Sequence, residues 1–96
     1  MMVVVCYDVS LDDDGGKRRL RRIAKLCQDY GQRVQYSVFE CIVDPGQWAL
    51  LKNKLINEYD EECDSLRFYY LGKNYQNRIE YNGKAKSHEQ EKPLIL

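Results

Sequence analysis

The sequence predicts an α+β fold on the ferredoxin-like plan, βαββαβ: an antiparallel sheet with two helices on one face. Three observations predict it. Met2–Asp8 is the chain's most apolar run and contains its only consecutive valines. Two later segments carry apolar residues at helical spacing. The stretches that separate and follow those helices are rich in β-branched and aromatic side chains.

The first strand is Met-Val-Val-Val-Cys-Tyr-Asp. It does not alternate with polar residues until Asp8, so it reads as a strand covered on both faces. Val3, Val5 and Tyr7 point one way, Val4 and Cys6 the other. Two helices on one face leave the second face to be covered, and a twofold partner is the simplest cover.

A loop follows, with Asp12–Asp14 ahead of Gly15 and Gly16. The first helix is expected from about Gly16 to Tyr30. Leu20, Ile23, Ala24 and Cys27 form its buried stripe. Asp12–Asp14 complement the positive end of its dipole, and Gly31 suits a left-handed cap at its end. Residues 32–43 (Gln-Arg-Val-Gln-Tyr-Ser-Val-Phe-Glu-Cys-Ile-Val) are strand-like but long for one strand. Without Gly or Pro inside, they read as one long strand or as two with a kink near Tyr36–Ser37. Asp44 then caps a second helix, with Pro45 at the first position and Gln47 completing a capping box. Trp48, Leu51, Leu55 and Tyr59 are its buried stripe. The acidic turn Asp60–Asp64 ends it, and Leu66–Leu71 is the last core strand, closed by Gly72. Leu66, Phe68 and Tyr70 face one way; Arg67, Tyr69 and Leu71 face the other.

The core domain is therefore 1–72, and 73–96 is a polar tail. Short strands are expected at Arg78–Tyr81 and at Leu94–Leu96, the second adding to a sheet edge and used in dimerisation.

Ninety-six residues make one domain. A chain of that size hides only about 60–65% of its unfolded surface, so dimerisation would help it. Fifteen basic residues balance fifteen acids, and no bulk basicity announces nucleic acid. The distribution is uneven, however. Lys17, Arg18, Arg19, Arg21, Arg22, Lys25 and Arg33 fall in one stretch whose only acid is Asp29, and a local stripe matters more for phosphates than the total. The four cysteines form no Cys-x-x-Cys pair and the lone His88 lies in the tail, which argues against zinc. No secretory or membrane-spanning run is present, so the expected setting is cytoplasmic and reducing.

Val5-Cys6-Tyr7-Asp8, a glycine-led basic helix, and Tyr30-Gly31-Gln32-Arg33-Val34-Gln35-Tyr36-Ser37-Val38-Phe39-Glu40 together resemble CRISPR-associated protein family two. The resemblance is traced over Met1–Gly72. It implies the ferredoxin-like fold, a homodimer, and a nuclease acting on RNA or duplex DNA with Mg2+ or Mn2+. It also implies a scaffold that bridges the CRISPR integrase during acquisition of foreign DNA. On that resemblance Asp8 binds the metal from both subunits and is the catalytic residue.

Each candidate has a plainer reading. Hydrolysis of a phosphodiester needs a hard cation, and carboxylates supply its ligands. One chain offers a single acid at this strand end, so the chemistry requires a twofold axis beside it. Alternatively Asp8 caps the turn near Ser10 and Asp12. Lys17, Arg18, Arg21, Arg22 and Arg33 are the candidate phosphate contacts, which would read backbone and not sequence; the plain reading is a solvated helix face. Tyr7, Ser37 and Phe39 are accessory candidates; Ser37 is equally a locally bonded hydroxyl, and for Phe39 the base-stacking reading gives way to the plainer one of a core strand residue. Glu40 is a second candidate acid or an exposed strand residue. The competing functions are a non-catalytic DNA-bridging dimer and a small-ligand regulatory module.

Overall fold

A computed structural model describes residues 1–83. Its order is β1 (Met2–Asp8), α1 (Gly16–Gln28), β2 (Gly31–Gln35), β3 (Val38–Ile42), α2 (Pro45–Glu58) and β4 (Ser65–Gly72), followed by a 3-10 turn at Tyr75–Arg78. The sheet runs β2-β3-β1-β4 with every pairing antiparallel. This is the expected ferredoxin-like arrangement.

β1 is central, flanked by β3 and β4, and its alternation sorts the molecule into layers. Val3, Val5 and Tyr7 are buried against Ile23 and Cys27 of α1 and Leu51 and Leu55 of α2, with Phe39, Cys41, Val43 and Trp48 completing the core. Trp48 sets its indole edge-on to Phe68 and Tyr70, at centroid distances of 4.9 and 5.8 Å. On the opposite face, Val4 and Cys6 are half-buried and Ile42 and Tyr69 are exposed. Both faces of β1 are thus apolar, as the valine run requires.

The long middle segment is two strands. Residues 36 and 37 form the turn between them. Neither has a positive φ, and a register shift between Arg33 and Gln35 absorbs the bend. Gly31 opens β2 and is not the left-handed helix cap expected of it; among the described residues only Gly72 and Gly83 have positive φ. Gly31 is needed because a Cβ there would run into the Glu40 carbonyl and Cys41 Cα of β3. α2 begins as expected: Asp44 accepts from the Gln47 N–H at 2.7 Å, and the Gln47 side chain accepts from the Asp44 N–H at 3.0 Å. Arg78–Tyr81 is not a strand. Tyr75–Arg78 coils into a 3-10 turn closed by the Asn77 N–H on the Asn74 carbonyl, and Ile79 is extended but pairs with no strand among the described residues. Arg78 belongs to the 3-10 turn, which leaves only three residues of the segment to extend. The expected strand Leu94–Leu96 lies outside the described residues.

Candidate metal and nucleic-acid site

Asp8 is the last residue of β1, pairs with Ser65 across β4, and is exposed. Alternation puts its side chain on the face away from the helices, with Val4 and Cys6. The turn below it is tied by other groups. Asp64 Oδ1 accepts the Ser10 N–H at 2.9 Å, Ser10 Oγ accepts the Asp12 N–H at 3.3 Å, and Asp13 Oδ1 accepts the Gly15 N–H at 2.9 Å. Asp8 takes no part in these bonds, so the turn-cap reading of Asp8 loses its basis.

Beneath the turn lies an ion-pair hub that leaves no pattern in the sequence. Arg19 Nε donates to Asp64 Oδ2 at 2.8 Å and Nη2 donates to Asp64 Oδ1 at 3.3 Å. The same guanidinium reaches Asp13 at 3.2 Å and the Ser10 carbonyl at 3.4 Å. Asp64 also accepts the Asp60 N–H at 2.9 Å. Burial pushes the Asp64 carboxyl up, but Arg19 and the two amides outweigh it and hold the group down at about 2. Burial, then the bond to Asp64, push the adjacent Cys63 thiol up to about 11. Asp13, Asp60 and Cys63 have ligand atoms within 4.8 Å of one another. The Arg19 guanidinium lies against Asp13 and Cys63, so the group is charge-balanced by an arginine. The hub clamps the β1–α1 loop to the α2–β4 loop, the two segments that flank Asp8 and Ser65.

The basic stripe divides. Arg19 is spent in the hub. Arg22 pairs with Glu58 at 3.1 Å and Lys25 with Asp29 at 2.6 Å. Lys17, Arg18 and Arg21 are exposed and make no ion pair among the described residues. They project from α1 away from the sheet, whereas Asp8 faces the other side, so one chain does not bring the stripe and the acid together. Like-charge crowding along α1 is partly relieved by these pairs.

Arg33, Tyr7, Phe39 and Ser37 do converge. The Arg33 guanidinium lies 5.1 Å from the Phe39 ring and 6.0 Å from the Tyr36 ring and hydrogen-bonds Tyr7. Tyr7 stacks on Phe39 at 6.2 Å, and its N–H donates to the Ser37 carbonyl at 3.1 Å. Burial raises the Tyr7 phenol, with Arg33 opposing. Tyr7 and Phe39 are both core, so neither offers a free ring to a base; their contribution is to fix the strand end that carries Asp8. Glu40 pairs with Val4, four residues from Asp8 and so about 13 Å along the strand. It is too far away to share a metal with Asp8 of its own chain.

Sequence reasoning missed what lines the cleft beside Asp8. The cleft measures about 210 Å³ and is bounded by Cys6, Tyr7, Asp8, Ser65, Arg67 and Tyr69. Its signal was the alternation of β4, which sets Arg67 and Tyr69 on the Asp8 face.

The family model for CRISPR associated protein Cas2 matches residues 1–79. The chain belongs to the Cas2 family. It is 64% identical over 96 residues to the CRISPR-associated endoribonuclease Cas2 of Nitratidesulfovibrio vulgaris, covering 100% of this chain and 94% of that one. It is 54% identical to the CRISPR-associated endonuclease Cas2 of Halalkalibacterium halodurans over 96 residues, covering 100% of both. Among solved structures, Streptococcus pyogenes Cas2 at pH 6.5 superposes with a TM-score of 0.75 at 55% identity, covering 86% of this chain and 100% of that one. The similarity therefore extends beyond Gly72, and those relatives put the chain among CRISPR-associated nucleases. Among the described residues no helix of this Cas2 family member is long and apolar enough to cross a membrane.

Proposed function

We propose that this Cas2 family chain is a cytoplasmic, homodimeric, divalent-metal-dependent endonuclease of RNA or duplex DNA that serves CRISPR adaptation. The observation that carries the proposal is Asp8: an exposed carboxylate at the end of the central strand, spared from the turn beneath it. The donor set fits Mg2+ or Mn2+, which bind through one or two carboxylates and keep water and phosphate oxygens as their other ligands. Two Asp8 carboxylates at a twofold axis would supply the protein's share. A bound ion would make its water acidic enough to attack a phosphodiester and take up charge on the phosphate. Asp8 would hold the ion, and the hub and the Tyr7–Phe39–Arg33 cluster hold the strand end that carries Asp8. The test is cleavage of RNA and of duplex DNA by wild type and Asp8→Ala, each with Mg2+ and with chelator. Only wild type with Mg2+ should cut; equal activity in all four arms removes the enzymatic reading.

One observation favours a second role beside the first. Lys17, Arg18 and Arg21 form an exposed cationic surface on the layer opposite Asp8, suited to bridging DNA in complex with the CRISPR integrase. Asp8→Ala should then support integration by the partner integrase, while Lys17→Glu with Arg21→Glu should not.

A further inference from the structure

A series of ring and cation contacts climbs from the core to the β2–β3 turn and ends on an aromatic side chain in water. Tyr7 stacks on Phe39 with ring centroids 6.2 Å apart. The Arg33 guanidinium lies over the Phe39 ring at 5.1 Å and over the Tyr36 ring at 6.0 Å. Tyr7 and Phe39 are core, whereas Tyr36 is 83% exposed, more than any other large apolar side chain among the described residues. A single exposed aromatic is ordinary on a protein surface. Tyr36 differs in being backed: the cation against its ring is itself held by the Tyr7 hydroxyl and by a buried ring. Arg33 pairs opposite Phe39 across β2 and β3, and Phe39 belongs to the core beneath the helices. The series therefore rises on the helix-bearing side, clear of the face through which the proposed dimer would form.

Two further features surround the ring. The Tyr7 N–H on the Ser37 carbonyl, at 3.1 Å, pins the turn to the end of β1. α1 starts at this same end of the sheet, where Gly16 packs so tightly on the Ser10 carbonyl and Leu11 Cα that a Cβ would not fit. Its first turn carries Lys17 and Arg18, exposed and in no ion pair among the described residues.

We propose that Tyr36 stacks on an unpaired base of single-stranded RNA or DNA, so that this end of the molecule tells unpaired strands from duplex. The ligand chemistry follows from the groups present. A flat ring with one side in water fits another flat apolar surface, and a base offers its face only where it is not stacked within a duplex. The cations at the same end suit the phosphates that come with that base, which a neutral aromatic ligand would not need. Ring-on-base contact also tolerates any of the bases, so the turn reads strandedness and not sequence.

The inference rests on the nucleic-acid reading above but uses neither Asp8 nor a metal, and its test is run in chelator, where no cleavage occurs. Labelled single-stranded DNA, the same strand annealed to its complement, and an abasic strand of equal length are titrated by fluorescence anisotropy at several salt concentrations. Tyr36→Ala should weaken single-strand binding about tenfold, as loss of one stacked base does. It should leave duplex and abasic-strand affinities and the salt slope unchanged, because no phosphate contact is lost. Tyr36→Phe keeps the ring and should bind as wild type. Equal affinity of wild type and Tyr36→Ala for the single strand overturns the proposal, as does an equal loss on all three probes. So does a Tyr36→Ala protein that loses its native mass in solution, since Tyr36 would then belong to an interface between subunits. Equal cleavage by wild type and Asp8→Ala would remove the catalytic reading and leave this one standing, so the two failures are separable.

Discussion

Asp64→Asn is the most informative single change to the fold. The Asp64 side chain is fully enclosed and accepts five hydrogen bonds: from the Ser10 and Asp60 amides at 2.9 Å each, from Arg19 at 2.8 and 3.3 Å, and from the Cys63 thiol at 3.5 Å. Asparagine keeps the shape but turns one acceptor into a donor, so at least one of the five loses its partner. Folding lowers the Asp64 carboxyl from 3.8 to about 2, and at about 1.36 kcal/mol per pKa unit its charged form contributes about 2 kcal/mol in full. The loops around it are exposed, and solvent screening brings the figure nearer 1 kcal/mol. The sign is fixed by the direction of the shift. A lowered carboxyl stabilises the fold above its unfolded value near pH 4, and that contribution drains away as pH falls towards about 2. The assay is urea denaturation of wild type and Asp64→Asn at pH 6, 4, 3 and 2.5, with protein concentration held fixed because subunit association would otherwise shift the midpoint. The stability gap should be widest at pH 6 and should narrow by about 0.5–1 kcal/mol by pH 2.5, where about a third of the contribution survives. A gap of the same size at both ends would refute the ion-pair account and reduce the hub to packing.

The remaining expectations concern other parts of the same frame. Asp8→Asn should leave the unfolding free energy from urea titration within about 0.5 kcal/mol of wild type, because the exposed carboxylate takes no part in the loop bonds. Gly31→Ala should destabilise by about 1–3 kcal/mol, since its Cβ meets β3 backbone that can move only by distorting the sheet; thermal melting measures it. Asp44→Ala should cost about 1 kcal/mol by removing the carboxylate that accepts the Gln47 N–H, the side-chain half of the α2 capping box. Leu51→Ala, at a fully buried position between α2 and β1, should cost about 2–5 kcal/mol in the same assay.

How legible each feature was in the sequence depends on the range of the interaction behind it. The valine run of β1 announced a doubly covered central strand because burial on both faces abolishes alternation. The Asp44-Pro45-x-Gln47 signature gave the start of α2, because capping is contained within four residues. The division of residues 32–43 was only half visible. Tyr36 and Ser37 turn the chain without a glycine, and the bulge at Arg33 and Gln35 that permits it arises only when β3 pairs alongside. Gly31 was given the wrong reason for a similar cause: the backbone it accommodates belongs to another strand. The Arg19 hub was wholly hidden. Its partner Asp64 lies 45 residues away, and in the sequence Arg19 is one more cation of a basic stripe. The same blindness overcounted that stripe, since the acids that neutralise Arg19 and Arg22 come from loops and a helix that only the fold brings near.

The layer arrangement bears on how one small chain could serve both proposed roles. α1 presents Lys17, Arg18 and Arg21 to the outside, while Asp8, Arg67 and Tyr69 share the opposite face of the sheet. A dimer formed through that second face would bring the two acids towards one another and leave both cationic helices on its outer flanks. A single carboxylate is a poor divalent site, so on the proposed reading the acid would gain its chemistry only in a dimer. The helical cations, by contrast, need no partner subunit to bind phosphate, and doubling them separates two binding surfaces across the width of the particle. Cleavage would then depend on the inner face and DNA bridging on the outer ones. Substitutions on one face should leave the other function intact. Defects that tracked together in every variant of both faces would mean that a single surface does both jobs, and the two-layer division would be wrong.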